Sequence, residues 1–153
     1  MRYASFLACA LVAIATTKPT ELVAQEAFDC DWPARAEAIV EPWSENTRTF
    51  ANGEVRLALL DTIEPAAAAF HILILSPPYD EVGGRQCKTL SLAEGIGFAG
   101  VDFGQLQAGY DPAVGLVFDV SAGEYDTGSG TTGMQHLRFT LNQATGEIRA
   151  FWP

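Results

Sequence analysis

The chain has 153 residues, of which 48% are hydrophobic and 18% are charged. This length suits a single domain, and this composition excludes an intrinsically disordered chain. Acidic residues outnumber basic ones by 19 to 9, giving a formal net charge of −10. Because a nucleic-acid-binding protein needs a basic surface to displace phosphate counterions, nucleic acid is excluded as a partner.

The first residues have the pattern of a secretory leader. Arg2 precedes an uncharged run at residues 4–15, which is too short to span a bilayer and ends in a polar stretch. We predict a signal peptide over residues 1–24, cleaved after Ala24, with cleavage after Ala15 as the alternative. Cys9 is also a possible lipoprotein acylation site, although the apolar run continues past it where a processed lipoprotein turns polar.

Cysteine usage agrees with export. Leader removal leaves two cysteines, Cys30 and Cys87, and two cysteines in an exported chain most simply form one disulfide. The spacing of Cys30 and Cys87 does not suit a metal site, so no metal is predicted. The predicted location is periplasmic or secreted, with no transmembrane segment once the leader is removed.

The first half of the domain contains one predicted helix and a set of strands. Residues 31–41 favour a helix because Pro33 suits its first turn and alanines follow. Residues 47–61 predict a hairpin around an Asn-Gly turn. The continuous apolar run at residues 70–75 predicts a central strand, and the proline-rich residues 76–80 predict a loop.

The second half reads as further short strands. Residues 134–141 alternate cleanly, which places Leu137, Phe139 and Leu141 inward and leaves His136, Arg138 and Thr140 outward. The other predicted segments are strands at 84–92, 115–120 and 147–152, a flexible glycine-rich loop at 123–133, and a hairpin loop at 142–146.

These segments predict a single disulfide-stapled, β-rich domain over residues 25–153. About seven or eight short strands with regular turn signals indicate a mainly β fold, an antiparallel sandwich or open barrel with one N-terminal helix. The alternative is an α+β fold, in which the helix packs on a single curved antiparallel sheet.

One string has a catalytic resemblance. Asp126-Thr127-Gly128-Ser129 resembles the catalytic loop of aspartic proteases, in which two aspartates share one proton. Asp61, which follows an apolar strand, resembles the entry of the retroviral-type members. In that family a hydrophobic strand leads directly into the aspartate. In this chain, residues 121–124 lie between the predicted strand and the Tyr125-Asp126 pair. At the other position, Ile63 replaces the glycine whose backbone freedom the loop needs. The resemblance is thus confined to two short strings.

Histidines and tryptophans supply the other candidates for binding or catalysis. His71 lies in the most apolar strand and is expected to be buried and hydrogen-bonded, whereas His136 is expected to face solvent. Trp32, Trp43 and Trp152 could stack on sugars, but their positions beside the helix and at the chain end suggest edges of the core.

The sequence therefore predicts an exported soluble binding or structural domain without catalytic activity. Its expected partner is a protein or a small envelope ligand, no cofactor is predicted, and catalytic residues remain unassigned. The alternative is a small envelope hydrolase that uses carboxylates such as Asp126. Asp126→Asn distinguishes the two, because a hydrolase would lose turnover while its fold was retained.

Overall fold

The computed structural model describes residues 27–152 and shows two antiparallel sheets, which confirms the mainly β fold class. The predicted signal peptide, Cys9 and both candidate cleavage sites lie outside the described residues. Within them, no helix is both long and apolar enough to cross a membrane.

The first sheet contains five strands in the order β1-β5-β4-β3-β2. Their bounds are β1 Ala27–Asp29, β2 Thr47–Phe50, β3 Val55–Asp61, β4 Phe70–Tyr79 and β5 Arg85–Leu90. The predicted hairpin is formed by β2 and β3, and its turn includes a short 3-10 segment, Ala51–Gly53. Asn52 and Gly53 adopt positive φ angles of 56° and 91° there, as an Asn-Gly turn favours.

The second sheet also has five strands, in the order β10-β9-β8-β6 with β7 paired on β8. Their bounds are β6 Gly100–Val101, β7 Gln107–Asp111, β8 Gly115–Asp126, β9 Thr131–Leu141 and β10 Ile148–Phe151. A 3-10 turn, Phe103–Gln105, connects β6 to β7. Gly115 must be glycine at the start of β8, because its φ is 96° and a Cβ there would lie 2.3 Å from the Leu141 carbonyl oxygen.

The hydrophobic core lies between the two sheets. Alternate residues of the central strands point inward, and the predicted inward set of Leu137, Phe139 and Leu141 is fully buried. Phe118 of β8 stacks on Phe139 at 4.8 Å between ring centroids. It also meets the edge of Phe50 from β2 at 5.0 Å, so aromatic contacts join the two sheets.

The residues between β1 and β2 do not form the helix predicted over residues 31–41. They form two 3-10 turns, Trp32–Ala34 and Ala36–Ala38, on either side of Arg35, whose backbone is extended. A four-residue helix, α1 (Trp43–Asn46), follows. The predicted helix is wrong because the segment is attached to the first sheet at both of its ends, near Cys30 and at Ile39. A continuous α-helix, at about 1.5 Å per residue, advances less than 3-10 turns joined by extended backbone.

The predicted disulfide is confirmed and supplies one of these fixed ends. Cys30 and Cys87 are bonded with their Cα atoms 5.3 Å apart, and a backbone bridge between Ile39 and Leu60 holds the other end. Between them, small side chains lie against apolar residues on the outer face of the first sheet. These residues form a hydrophobic cluster separate from the core between the sheets. Its buried members are Ala38, Ala58, Leu60 and Leu73. This layer therefore covers the outer face of the first sheet over these residues, whereas Arg56 of β3 stays exposed.

Two predicted loops are largely strand. The segment 76–80 was expected to be a loop, but β4 continues to Tyr79 through an irregular register between Ser76 and Tyr79 that accommodates the two prolines. The glycine-rich stretch 123–133 was also expected to be a loop. There β8 runs to Asp126 and β9 begins at Thr131, and the two strands pair up to Asp126↔Thr131, so only residues 127–130 form the turn.

Candidate functional site

The second sheet has one face in the core and an outer face that is open to solvent. Along this outer face β9 contributes His136 and Arg138, and β10 contributes Arg149 and Phe151. The side chains of His136, Arg138 and Arg149 are 54–62% exposed, and Phe151 is 44% exposed. We call this surface, together with Asp119 of β8, the outer face of the second sheet.

A compact polar cluster occupies the centre of this face. The Arg138 guanidinium donates to both oxygens of Asp119, at 2.7 Å and 3.2 Å, and His136 Nε2 lies 2.9 Å from the same carboxylate. The carboxylate raises the pKa of Arg138, first through these hydrogen bonds and then through charge attraction. One guanidinium and one imidazole thus contact a single carboxylate, and the charge of Arg138 is balanced by that of Asp119.

Exposed apolar side chains border the polar cluster. Phe151 lies directly opposite Arg138 in the β9–β10 register, which places an aromatic ring beside a guanidinium. Met134 is 50% exposed farther along β9, and its sulfur lies over Gly123 of β8, where a Cβ would be only 2.8 Å away. The face therefore offers arginine, aromatic and methionine groups side by side, as protein-binding surfaces often do.

The β8–β9 hairpin extends beyond this cluster and carries Asp126. The two Asp126 oxygens accept from the Gly128 backbone N–H at 2.8 Å and from the Ser129 hydroxyl at 2.7 Å. Donation from Ser129, and then from Gly128, lowers the pKa of Asp126. In a shared-proton pair a second carboxyl lies beside the first, whereas the Asp126 carboxylate is bonded to Gly128 and Ser129. The geometry of Asp126 is that of a carboxylate that stabilises a turn.

The second Asp-Thr string forms a comparable turn. The Asp61 carboxylate accepts from the Ile63 backbone N–H at 2.7 Å. Ile63 has a φ of 68°, so the expectation that isoleucine would prevent a left-handed conformation here is wrong. The Asx-type hydrogen bond and the exposed position of this side chain allow it. Asp61 and Asp126 each serve the turn that follows their own strand.

Two grooves border the strands at other places. One, of about 410 Å³, lies along the hairpin between Glu124 and Gln135. The other, of about 180 Å³, lies beside the exposed Trp32. The three tryptophans do not form one sugar-stacking platform, because Trp152 is buried and stacks on Phe98. Among the described residues, no group of three or more His, Cys, Asp or Glu side chains could hold a metal ion.

His71 is buried and hydrogen-bonded, as predicted. Its Nδ1 lies 2.7 Å from the Ser91 hydroxyl, and its Nε2 has no hydrogen-bond partner within residues 27–152. The Gly97 backbone closes the other side, since a Cβ there would be 2.9 Å from Nε2. Burial lowers the pKa of the His71 imidazole because the charged ring would lose its water. The neutral ring therefore packs as part of the fold.

This burial predicts a pH-dependent stability. Below about pH 6.5, the ordinary pKa of histidine, the unfolded chain binds a proton at His71 that the folded chain excludes. As the pH decreases below this value, His71 alone should lower the free energy of unfolding by up to about 1.4 kcal/mol for each pH unit. Urea titrations between about pH 7.5 and about pH 5 measure the slope.

The control for this prediction is the exposed histidine. His71→Asn, checked for folding by near-ultraviolet circular dichroism, should have a shallower slope than the wild-type chain. His136→Asn should retain the contribution of His71. If His71→Asn kept the full wild-type slope, the acid sensitivity would come from other groups.

Comparison with known proteins gives no family assignment: no protein-family model, curated protein or solved structure matches the chain. Sequence alternation placed His136 and Arg138 on an outer face, and the structure brings both to Asp119. Asp119 and Phe151 were missed as candidates because each lies beside Arg138 only through the register of its strand with β9. The inward-outward alternation of residues 115–120 and 147–152 was the signal that could have placed them on the same face.

Proposed function

We propose that this protein is an exported, non-catalytic binding domain that contacts a partner protein through the outer face of the second sheet. The observation that carries the proposal is the asymmetry of the two sheets. The first sheet has one face in the core, and the disulfide-linked N-terminal layer covers Leu60 and Leu73 on its other face. The second sheet leaves Arg138, Arg149 and Phe151 on an open face.

Export is supported by two independent features of the chain. The disulfide between Cys30 and Cys87 suits an oxidising compartment, since such bonds are rare in the cytosol. The leader pattern at residues 1–24 is the second feature. Together they favour the periplasm or the extracellular space as the location of the domain.

A binding role is favoured over hydrolysis by the character of the candidate groups. The Asp126 carboxylate already accepts from the turn that follows it, and the low pKa of Asp126 suits an ionised acceptor better than a proton donor. The outer face, by contrast, is broad and carries arginine and aromatic side chains, the residue types that contribute most to protein interfaces. Its hydrogen-bonding cluster and exposed aromatic ring suit a partner that offers polar groups beside an apolar side chain.

The test is a pair of matched double variants. Arg138→Ala/Phe151→Ala removes an arginine and an apolar side chain from the outer face. Arg56→Ala/Val82→Ala removes the same two kinds of group from exposed positions of the first sheet and its β4–β5 loop. The full chain, exported in its host, is used to recover partners from periplasmic extract. The affinity of the recovered complex is then measured with purified components.

We expect one stoichiometric partner, with binding weakened at least about ten-fold by the outer-face variant and within about two-fold of wild type for the control. Near-ultraviolet circular dichroism verifies that both variants fold. Recovery of the same partner with equal affinity by the outer-face variant would overturn the assignment of the face. Failure of the wild-type chain to retain any partner would overturn the binding role.

A further inference from the structure

β7 is an unprotected edge strand of the second sheet. All five of its residues, Gln107–Asp111, are exposed, and the strand pairs with β8 on one side only within the described chain. Its register with β8 is continuous from Gln107↔Asp119 to Asp111↔Gly115 without a bulge. The unpaired side therefore presents a regular row of backbone donors and acceptors, which can template another strand.

The other edges are shorter or have protection that β7 lacks. β1 has three residues and β10 has four. Beside β2, the Arg48 side chain reaches across to the carbonyl oxygens of Gly104 and Leu106, at 2.7 Å and 2.9 Å. β7 contains no lysine, proline or bulge, which are devices that usually prevent edge pairing, and its single charged residue, Asp111, is the last of the strand.

We propose that β7 is a self-association site, at which two copies of this chain pair antiparallel about a two-fold axis through Gly109. Only this register pairs all five residues of both strands. It places Ala108 opposite Tyr110 of the second copy and Gln107 opposite Asp111 of the second copy. Small side chains then face large ones and no two charges of the same sign are directly opposed, as stable cross-strand pairs require.

The exposed ring of Tyr110 would be covered if a second copy paired with this edge. Its side chain is 69% exposed, and the β7–β8 register places it on the core-facing side of the sheet, beyond the core itself. In the paired arrangement each tyrosine ring would cover the alanine of the other copy. A contact built on one five-residue edge is small, so the dimer is weak and reversible and its population depends on concentration.

This dimer is independent of the partner protein proposed above. The outer-face residues Arg138 and Phe151 lie on β9 and β10, away from the β7 edge. With the two-fold axis perpendicular to the sheet, β10-β9-β8-β7 of each copy would join into one continuous sheet. The outer faces of both copies would then lie on the same side, and the dimer would present two binding faces together.

Cysteine cross-linking tests the register directly. In an antiparallel pair, directly opposed Cα atoms are about 4.5–5.5 Å apart, which is within the range that a disulfide spans. A Cβ built at Gly109 meets no atom within 4 Å, so Gly109→Cys fits the monomer. Gly133→Cys is the matched control, because it lies in an exposed strand position with the same open space.

We expect Gly109→Cys to form a covalent dimer under mild oxidation at least about ten-fold faster than Gly133→Cys, because pairing raises the local thiol concentration. The unsubstituted chain gives the background from its own cysteines. Equal rates for Gly109→Cys and Gly133→Cys would overturn the proposed register.

Sedimentation of the purified chain gives a second measurement without an added cysteine. The wild-type chain should show a concentration-dependent monomer–dimer equilibrium. Tyr110→Lys, at an exposed position that the monomer tolerates, should raise the dimer dissociation constant at least about ten-fold. A wild-type chain that stayed monomeric throughout, or a dimer unaffected by Tyr110→Lys, would overturn self-association. Since no partner protein is present, either outcome leaves the binding proposal untouched.

Discussion

Replacing Phe118 by alanine is expected to lower the free energy of unfolding by about 3–5 kcal/mol. Phe118 is fully buried, and its ring contacts Phe139 of its own sheet and Phe50 of the opposite sheet. Removing the ring would leave a cavity where the two sheets meet. Small domains have total stabilities of about 5–15 kcal/mol, so a large part of the folded population could be lost.

Urea or thermal unfolding of Phe118→Ala measures this effect, with Phe151→Ala as the control. Phe151 is the same residue type on the same sheet but is 44% exposed, so its replacement should cost less than about 1 kcal/mol. A loss below about 1 kcal/mol for Phe118→Ala would mean that the aromatic contacts do not hold the two sheets together.

Removing the disulfide should have an effect of similar size. Cys30 and Cys87 are separated by 57 positions, and closing a loop of that length stabilises the folded chain by roughly 4 kcal/mol in the chain-entropy treatment. The double variant Cys30→Ser/Cys87→Ser should lose up to about this amount. The segment between the cysteine and Ile39 should also become accessible to proteases, because one of its two attachments to the sheet is gone.

A reducing agent provides the control for the disulfide. Adding a thiol reductant should destabilise the wild-type chain to nearly the level of the double serine variant, which itself should not respond. Unchanged stability and protease resistance in the double variant would show that the β1–β5 ladder and the Ile39–Leu60 bridge hold the N-terminal layer without the covalent bond.

The sequence was most informative where a local pattern decides the structure. Alternation over residues 134–141 correctly placed Leu137, Phe139 and Leu141 inward and left His136 and Arg138 exposed, since the pattern requires only that one strand has one buried face. Thr140 was also predicted to face outward, but its side chain is buried. The disulfide could be predicted because Cys30 and Cys87 are the two cysteines that lie outside the predicted leader. Residues 31–41 were assigned incorrectly, since their alanines favour a helix locally while two distant attachments determine their conformation.

The candidate site was only partly predictable for a related reason. His136 and Arg138 could be placed outward from their own strand, but their contact with Asp119 depends on the register between β8 and β9. The backbone conformation of the turn at Ile63 likewise depends on a single hydrogen bond. The Asp61 carboxylate accepts from the Ile63 N–H and supports a positive φ that isoleucine rarely adopts. No local propensity encodes either feature.

The attachment of the N-terminal layer also constrains the order in which the polypeptide can fold. β1 pairs with residues 88–90 of β5, and the thiol of Cys30 needs that of Cys87, so neither link can form before residue 87 is available. Until then the apolar side chains of Leu60 and Leu73 lack their cover. In the export that we propose, the amino-terminal end would cross the membrane first but fold late, which leaves a nascent hydrophobic surface that a chaperone could shield.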